Sequence, residues 1–367
     1  MTTASSCSAQ NGAVSSRPVT RLDLVPRRVR VHAVRETSGA LRRLTFRDAA
    51  PGGAPRATPR APGPDDHVKL FLPNPATGVL HAPTLTDDGA LQRPTGVVSI
   101  SRELTVRATR TVDGVPEVDV DWVLHGGTDP GAPPTGEGGP ASAWAARAAV
   151  GDEVVLAGPT TSRAVPDGVG RLLLVGDETG LPALARWVEA IGADVPVTAI
   201  VEIGDDVDEA FVEDELGRAT TELLYRTDGP GQLAEAVRAL GPLDADEYVF
   251  AAGEATDLVA VRRALRGSGA RPALLAGVGA WRRGGVIRAP AGPLDPAAPG
   301  GPRVTARPGQ PPCRTSTASP RPATASRESF VHKAVHPSTC AAARCRGAGG
   351  RRGGGGGRGG AGWAGGG

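Results

Sequence analysis

Two hydrophobic patterns meet near Gly170, and their junction limits what this chain can fold into. Before it, apolar and polar residues alternate: R-V-R-V-H-A-V-R from Arg28, L-R-R-L-T-F from Leu41, H-V-K-L-F-L-P from His67, V-V-S-I from Val97, L-T-V-R-A-T-R from Leu104, V-D-V-D-W-V-L-H from Val118 and E-V-V-L-A-G-P from Glu153. A period of two is the mark of a half-buried strand. Short strands of this kind at regular spacing imply a closed antiparallel barrel. From Arg171 the pattern changes. R-L-L-L-V-G is continuously apolar, as suits a strand buried on both faces. A helix follows in which Leu184, Trp187, Val188 and Ile191 share one stripe. Strands P-V-T-A-I-V-E-I, T-E-L-L-Y-R, E-Y-V-F-A-A-G and P-A-L-L-A-G-V then alternate with helices near 209–216, 232–240 and 256–266. Such alternation implies a parallel sheet and a nucleotide-binding lobe.

The expected fold class is therefore two-domain: an antiparallel Greek-key β-barrel over 25–165, then an α/β parallel-sheet domain over 166–285. Residues 1–24, rich in Ser, Thr, Ala and Arg, read as a disordered leader, and 49–66 as a Pro/Gly loop too full of breakers to pack. Residues 286–367 read as a low-complexity disordered tail. That tail carries 12 Lys and Arg against 2 Asp and Glu, so the net charge of +2 hides an acidic body joined to a basic extension. Its arginine–glycine run suits RNA, but a chance extension reads equally well, and no nucleic-acid partner is expected.

The four cysteines, Cys7, Cys313, Cys340 and Cys345, all fall outside the body, which therefore carries no disulfide framework. Cys340 and Cys345 with His332 and His336 match no standard zinc spacing, so no metal is expected. No stretch offers the roughly 18 apolar residues of a membrane span. The first residues have neither the basic nor the apolar region of a secretory signal. A cytoplasmic monomer is the expectation.

The chemistry concentrates in V-S-I-S-R-E-L-T (98–105) and G-G-P-A-S-A-W (138–144). On a strand, Arg102 and Leu104 share one face and Thr105 takes the other. Gly139, Pro140, Ala141 and Ser142 open a short helix whose free N–H groups suit a phosphate. A basic strand residue beside such a helix start makes a cradle for a dinucleotide's pyrophosphate. From the residues alone, an exposed strand arginine with a β-favouring threonine is the plainer account.

S-R-E-L-T-V-R resembles the R-x-Y-[ST] flavin signature of ferredoxin-reductase-like enzymes. D-H-V-K-L-F-L-P, V-D-V-D-W-V-L-H-G, G-G-P-A-S-A-W-A, L-L-V-G-D-E-T-G-L-P-A, A-G-E-A and A-W-R-R-G follow in order. Together they resemble the siderophore-interacting proteins, FAD-dependent ferric-siderophore reductases, from about Arg28 to Gly285. The resemblance implies FAD contacts at Arg102, Leu104, Thr105, Val106, Asp121, Val123, His125, Gly139, Pro140, Ala141, Ser142 and Trp144. Trp144 serves equally well as a core residue, and His125 as a hydrogen-bonded strand end. NADH or NADPH would meet Asp177, Glu178 and Thr179 after one strand and Gly253, Glu254 and Ala255 after another. The lobe has no G-x-G-x-x-G, so this rests on strand–turn–helix order and the resemblance. Glu202 favours a ribose hydroxyl over a 2′-phosphate, hence NADH.

Lys69 is one of only two lysines, with Lys333. The family places a ferric-siderophore contact there, joined here by Arg282 or Arg283; a solvated strand lysine is the alternative. The implied activity is NAD(P)H-dependent ferric-siderophore reduction. A flavin reductase with another acceptor, and a non-catalytic flavin or iron-siderophore binding module, are the alternatives. Two positions depart from the family: Leu104 stands where an aromatic ring stacks on the flavin, and Ala280 where Tyr is usual. Leu can pack but not stack, so Leu104→Tyr is expected to raise the fraction of purified protein that carries FAD, read from the ratio of flavin to protein absorbance.

Overall fold

The computed structural model describes residues 14–39, 41–49, 59–124, 139–205, 207–229 and 231–281. The first half contains β1 (Val19–Arg21), β2 (Arg27–Ser38), β3 (Leu41–Asp48), β4 (His67–Leu72), β5 (Thr84–Leu85), β6 (Leu91–Gln92), β7 (Ile100–Val112), β8 (Val115–Val123), α1 (Gly139–Arg147), β9 (Glu153–Ala157) and β10 (Thr161–Arg163). Six of these close a barrel in the order β2-β3-β8-β7-β4-β9, with every pair antiparallel. The order is a Greek key, as the alternation led us to expect. Inward residues of each strand, among them Val31, Leu44, Phe46, Val68, Leu70, Val120 and Leu156, fill the interior, and Ala141 and Ala145 of α1 pack onto it.

β7 changes partner midway. Residues 100–105 pair with β4, and residues 106–112 pair with β8, with a register shift between Val106 and Ala108. A bulge of this kind bends the strand and re-aims the extra side chain, here Arg107. Beyond the shift, β8 continues through Asp121–Val123 alongside β3 instead. The barrel wall therefore divides between the first half of β7 and the end of β8, and α1 packs against both strands there.

The second half contains β11 (Arg171–Asp177), α2 (Leu181–Ala190), β12 (Val197–Ile203), α3 (Glu209–Leu216), β13 (Thr220–Tyr225), α4 (Gln232–Ala239), β14 (Glu247–Glu254), α5 (Ala255–Gly267) and β15 (Leu275–Trp281). The sheet is wholly parallel in the order β13-β12-β11-β14-β15. Because both faces of β11 are covered, its alternation disappears from the sequence. Leu172 and Leu174 face α2 and α3, while Leu173 and Val175 face α4 and α5. The anticipated stripe on α2 is buried, and Trp187 lies 5.3 Å from the rings of both Tyr248 and Phe250.

Three sequence expectations change. V-V-S-I is not a strand of its own: β7 begins at Ile100, and Val98 is 75% exposed. Residues 14–24 of the leader are built into the body, because β1 pairs with β10 and Arg17 lies over Trp187, 4.8 Å from its ring centre, while pairing with Asp65. The end of the Pro/Gly stretch also packs. The Gly63 N–H reaches Asp66 at 2.8 Å and Ser162 at 2.9 Å, and Pro59, Gly63 and Pro64 are buried. Breakers stop regular structure but do not stop burial when side chains satisfy the backbone. Residues 1–13 and 286–367 lie outside the described residues.

The turn after β11 packs backbone against backbone. A Cβ on Gly180 would stand 2.4 Å from the carbonyl oxygen of Ala252, and one on Gly176 would stand 2.2 Å from it. Neither contact can relax by rotating a side chain. Gly180→Ala is therefore expected to destabilise the fold by about 2–3 kcal/mol. Thermal denaturation should then show a midpoint lower by about 5–10 °C.

Candidate functional site

Two regions gather the residues singled out in the sequence. The first is the divided wall of the barrel. Arg102 and Leu104 stand opposite Leu70 and Val68, and Thr105 stands opposite His67, so the faces fall as the strand period requires. Leu104 leans on the barrel core. Arg102 is half-buried and makes no hydrogen bond or ion pair among the described residues. Burial alone holds its guanidinium below the usual arginine range. A partly desolvated cation without a counter-ion favours an anion brought to it. α1 begins beside this wall with no acidic residue in its first turn, so its N–H groups are open to negative charge as well. Pro140 is exposed there, and Ala141 and Ser142 are buried.

Other residues of the flavin set are engaged elsewhere. Val106 has its side chain in the barrel core; its N–H donates to Asp66 O at 3.0 Å and its carbonyl accepts from Arg186 at 2.9 Å. It has no free group to offer a ligand. Asp121 receives both arms of Arg43 at 2.6 and 2.7 Å, so its carboxylate is taken by an ion pair. Val123 packs with Leu41 against the core of the α/β lobe. Trp144, partly buried, leans on Trp122 at 5.8 Å and on the barrel core. His125 lies outside the described residues, as do Arg282 and Arg283.

Sequence reasoning missed the ionic seam beside this wall. Arg43 also reaches Glu215 of α3 at 2.9 Å. Arg107, aimed outward by the bulge, meets Glu215 at 2.6 Å and Glu189 of α2 at 2.8 Å. Bulges leave no mark in a two-residue period, so the sequence offered no signal for it.

The second region is the carboxyl edge of the parallel sheet, at the crevice where strand order reverses between β11 and β14. Ligands of open α/β sheets bind at such a crevice. The structure brings Asp177 and Glu254 together: Asp177 accepts from the Glu254 N–H at 2.8 Å and from the Thr179 N–H at 2.9 Å. Glu254 caps α5 by accepting from Thr256 and Asp257, and Ala255 is that helix's first residue. Gly253 passes so close to Asp177 that a Cβ there would lie 2.9 Å from its carboxylate. Thr179 thus closes a turn with Asp177 and does not cap α2, whose N-cap is Gly180. Glu178 holds Arg226 at 2.8 and 2.5 Å, and Glu202 takes the same guanidinium at 3.3 Å. The Glu178 pair lifts Arg226 above its usual range, while burial pushes the Glu202 carboxyl up. Arg226 ends the T-E-L-L-Y-R run at the sheet edge, and that position was the signal available for it.

A Lys69–Glu103 pair at 2.8 Å crosses the outer face of β4 and β7, on the floor of a cleft of about 510 Å³. Among the described residues no cluster of His, Cys, Asp or Glu could hold a metal, and no helix is long and apolar enough to cross a membrane.

The site thus joins a Greek-key barrel, whose wall carries a half-buried arginine with no ion pair among the described residues, to a parallel sheet with an open switch crevice. Residues 30–163 match the siderophore-interacting FAD-binding domain, and 169–284 match the siderophore-interacting protein domain. A solved siderophore utilization protein from T. fusca is 30% identical, with a TM-score of 0.62 over 74% of this chain and 97% of that one. The chain belongs to the siderophore-interacting protein family. It is 33% identical to the NADPH-dependent ferric-chelate reductase of Escherichia coli (strain K12) over 153 residues, 41% of this chain and 54% of that relative, so the match spans about half of that protein. It is 28% identical to the ferric vibriobactin reductase ViuB of Vibrio cholerae over 207 residues, 54% of this chain and 70% of the relative.

If Arg102 holds a pyrophosphate, removing its charge should weaken that grip and leave the fold intact. Arg102→Gln is expected to raise the FAD dissociation constant about tenfold to a hundredfold, the loss of a charge-assisted hydrogen bond. Fluorescence titration of the apoprotein measures it, and unchanged far-ultraviolet circular dichroism confirms the fold.

Proposed function

We propose that this chain reduces ferric siderophores with NAD(P)H through bound FAD and releases iron as ferrous ion. The observation that carries the reading is Arg102, half-buried and without a counter-ion among the described residues, on the wall of a barrel that matches an FAD-binding domain. A flavin accepts electrons as a hydride pair and gives them up singly, which joins a two-electron nicotinamide to a one-electron ferric acceptor.

In this reading Arg102 and the N–H groups from Gly139 neutralise the pyrophosphate, and Thr105 offers its hydroxyl to the flavin edge. Leu104 supplies packing without stacking. The nicotinamide nucleotide enters at the sheet crevice. There Asp177 and Glu254 hold the two turns in place and Thr179 with Gly180 lines the mouth, while Ala255 opens α5 beside it. The carboxylates shape the site by holding backbone, and leave phosphate contact to N–H groups. Lys69 faces the ferric complex, joined by Arg282 or Arg283. Glu202, engaged by Arg226, is the acidic group that would favour NADH. We place the protein in the cytoplasm as a monomer whose lobes divide at 25–165 and 166–285. The absence of cysteine between Cys7 and Cys313 supports a reducing compartment.

The test is anaerobic. FAD-loaded protein mixed with NADH or NADPH should lose its flavin absorbance near 450 nm. It should regain it on adding a ferric siderophore, while a ferrous chelator develops colour. Bleaching without iron-dependent recovery would point to a flavin reductase serving another acceptor; no bleaching would leave a binding module.

A further inference from the structure

The outer face of β4 and β7 carries charges that Lys69 alone does not describe. His67, Lys69 and Phe71 alternate along β4, and Ser101 and Glu103 along β7, all lining the cleft of about 510 Å³. Lys69 and Glu103 are direct cross-strand partners, with ammonium and carboxylate 2.8 Å apart. Side chains at such positions point the same way, so both belong to the face that lines the cleft. Both remain partly open to it, at 43% and 26% exposure. The cleft's other described charge is Arg93, from the 80–97 segment that walls the far side. Lys69 and Glu103 cancel, which leaves Arg93 as the cation that outnumbers the carboxylates among the described residues lining the cleft.

Resting on the ferric-siderophore reading above, we propose that Glu103 tunes the charge class of the substrate: its carboxylate, paired with Lys69, weakens the hold of the cleft on triply anionic ferric tris-catecholates relative to ferric tris-hydroxamates, which are near neutral overall. A trianion drawn to Lys69 meets the Glu103 carboxylate within the same contact, so attraction and repulsion largely offset. Desolvating that carboxylate beside three further negative charges adds to the penalty. A near-neutral complex meets neither cost. It gains instead from Ser99, Ser101, Thr160 and Thr161 around the rim, and from Phe71 and Val97, which suit the hydrocarbon links between hydroxamates. Glu103 can also accept from an ammonium at the end of such a ligand.

The experiment compares kcat/KM for two probes with excess NADPH under nitrogen: ferrioxamine B, a singly positive tris-hydroxamate, and ferric enterobactin, a triply negative tris-catecholate. Glu103→Gln keeps the shape and a hydrogen bond to Lys69 but drops the charge. It should move the ratio of the two constants about tenfold toward the catecholate, through KM, the size expected for one partly screened charge facing a trianion. Lys69→Met should move the ratio the other way, and added salt should shrink both shifts. An unmoved ratio in Glu103→Gln, or a shift away from the catecholate, overturns the assignment. Flavin bleached by NADPH with neither ferric complex reduced sinks the ferric-siderophore reading itself, and the assignment with it. Reduction of either complex with the ratio unmoved in Glu103→Gln sinks the assignment alone.

Discussion

The change of partner along β7 is the constraint on which the rest of this structure depends. Up to Thr105 the strand is tied to β4; from Val106 it is tied to β8. Had β7 stayed paired with β8 throughout, this closed barrel would have no gap between the two strands and Arg102 would be buried more deeply. A guanidinium there, without a carboxylate, would cost several kcal/mol. With the wall divided, Arg102 is only half-buried and needs no protein partner. The same bulge throws Arg107 outward, toward α2 and α3. One extra residue thus makes both an opening for a ligand and an anchor for the second lobe.

That anchor is ionic. Arg43 and Arg107 share Glu215, while Asp121 and Glu189 complete the seam. Arg186 adds hydrogen bonds to the backbone of Val106 and Ala61. An apolar seam of the same size would bind as well, because burying charge costs nearly what pairing returns. It would tolerate sliding, whereas two-armed contacts with fixed angles do not. A barrel wall and a sheet crevice that, in the proposed function, exchange electrons through one bound group need their relative position held more than they need extra stability. Arg17 adds to the lobe contact by the same means, pairing with Asp65 while lying over Trp187.

The fold was legible because its two hydrophobic periods differ, and burial on one face or on two writes that difference directly into the sequence. Leu172 to Val175 could hardly be read otherwise than as a doubly covered strand. The packed turn at Gly63–Asp66 was not legible, since Pro and Gly announce only the end of regular structure, and what buries them comes from Ser162, far along the chain. The site was legible in part. Arg102 and Thr105 could be placed from strand period and motif. Asp121 and Val106 sit on the same strands and match the motif as well, yet one is spent on Arg43 and the other on the core. Matching a motif position does not reveal what the side chain already holds. Arg43 is seventy-eight residues from Asp121, and no local pattern links them.

What a cation already holds decides what it can do next. Arg43, Arg107 and Arg226 each carry at least two carboxylate contacts, so they offer a ligand little net charge and act as struts. Lys69 carries one, which leaves it a dipole more than a charge. Arg102 carries none among the described residues, and burial already works against its proton. The order of increasing need is therefore strut, selector, cradle, and it runs from the lobe seam and sheet edge, through the outer cleft, to the divided wall. A full negative charge gains most at the last of these, where water is partly excluded and nothing competes. In the proposed function that is where the pyrophosphate is held, and it leaves the outer face of the same two strands to an acceptor that needs no strong field to hold it.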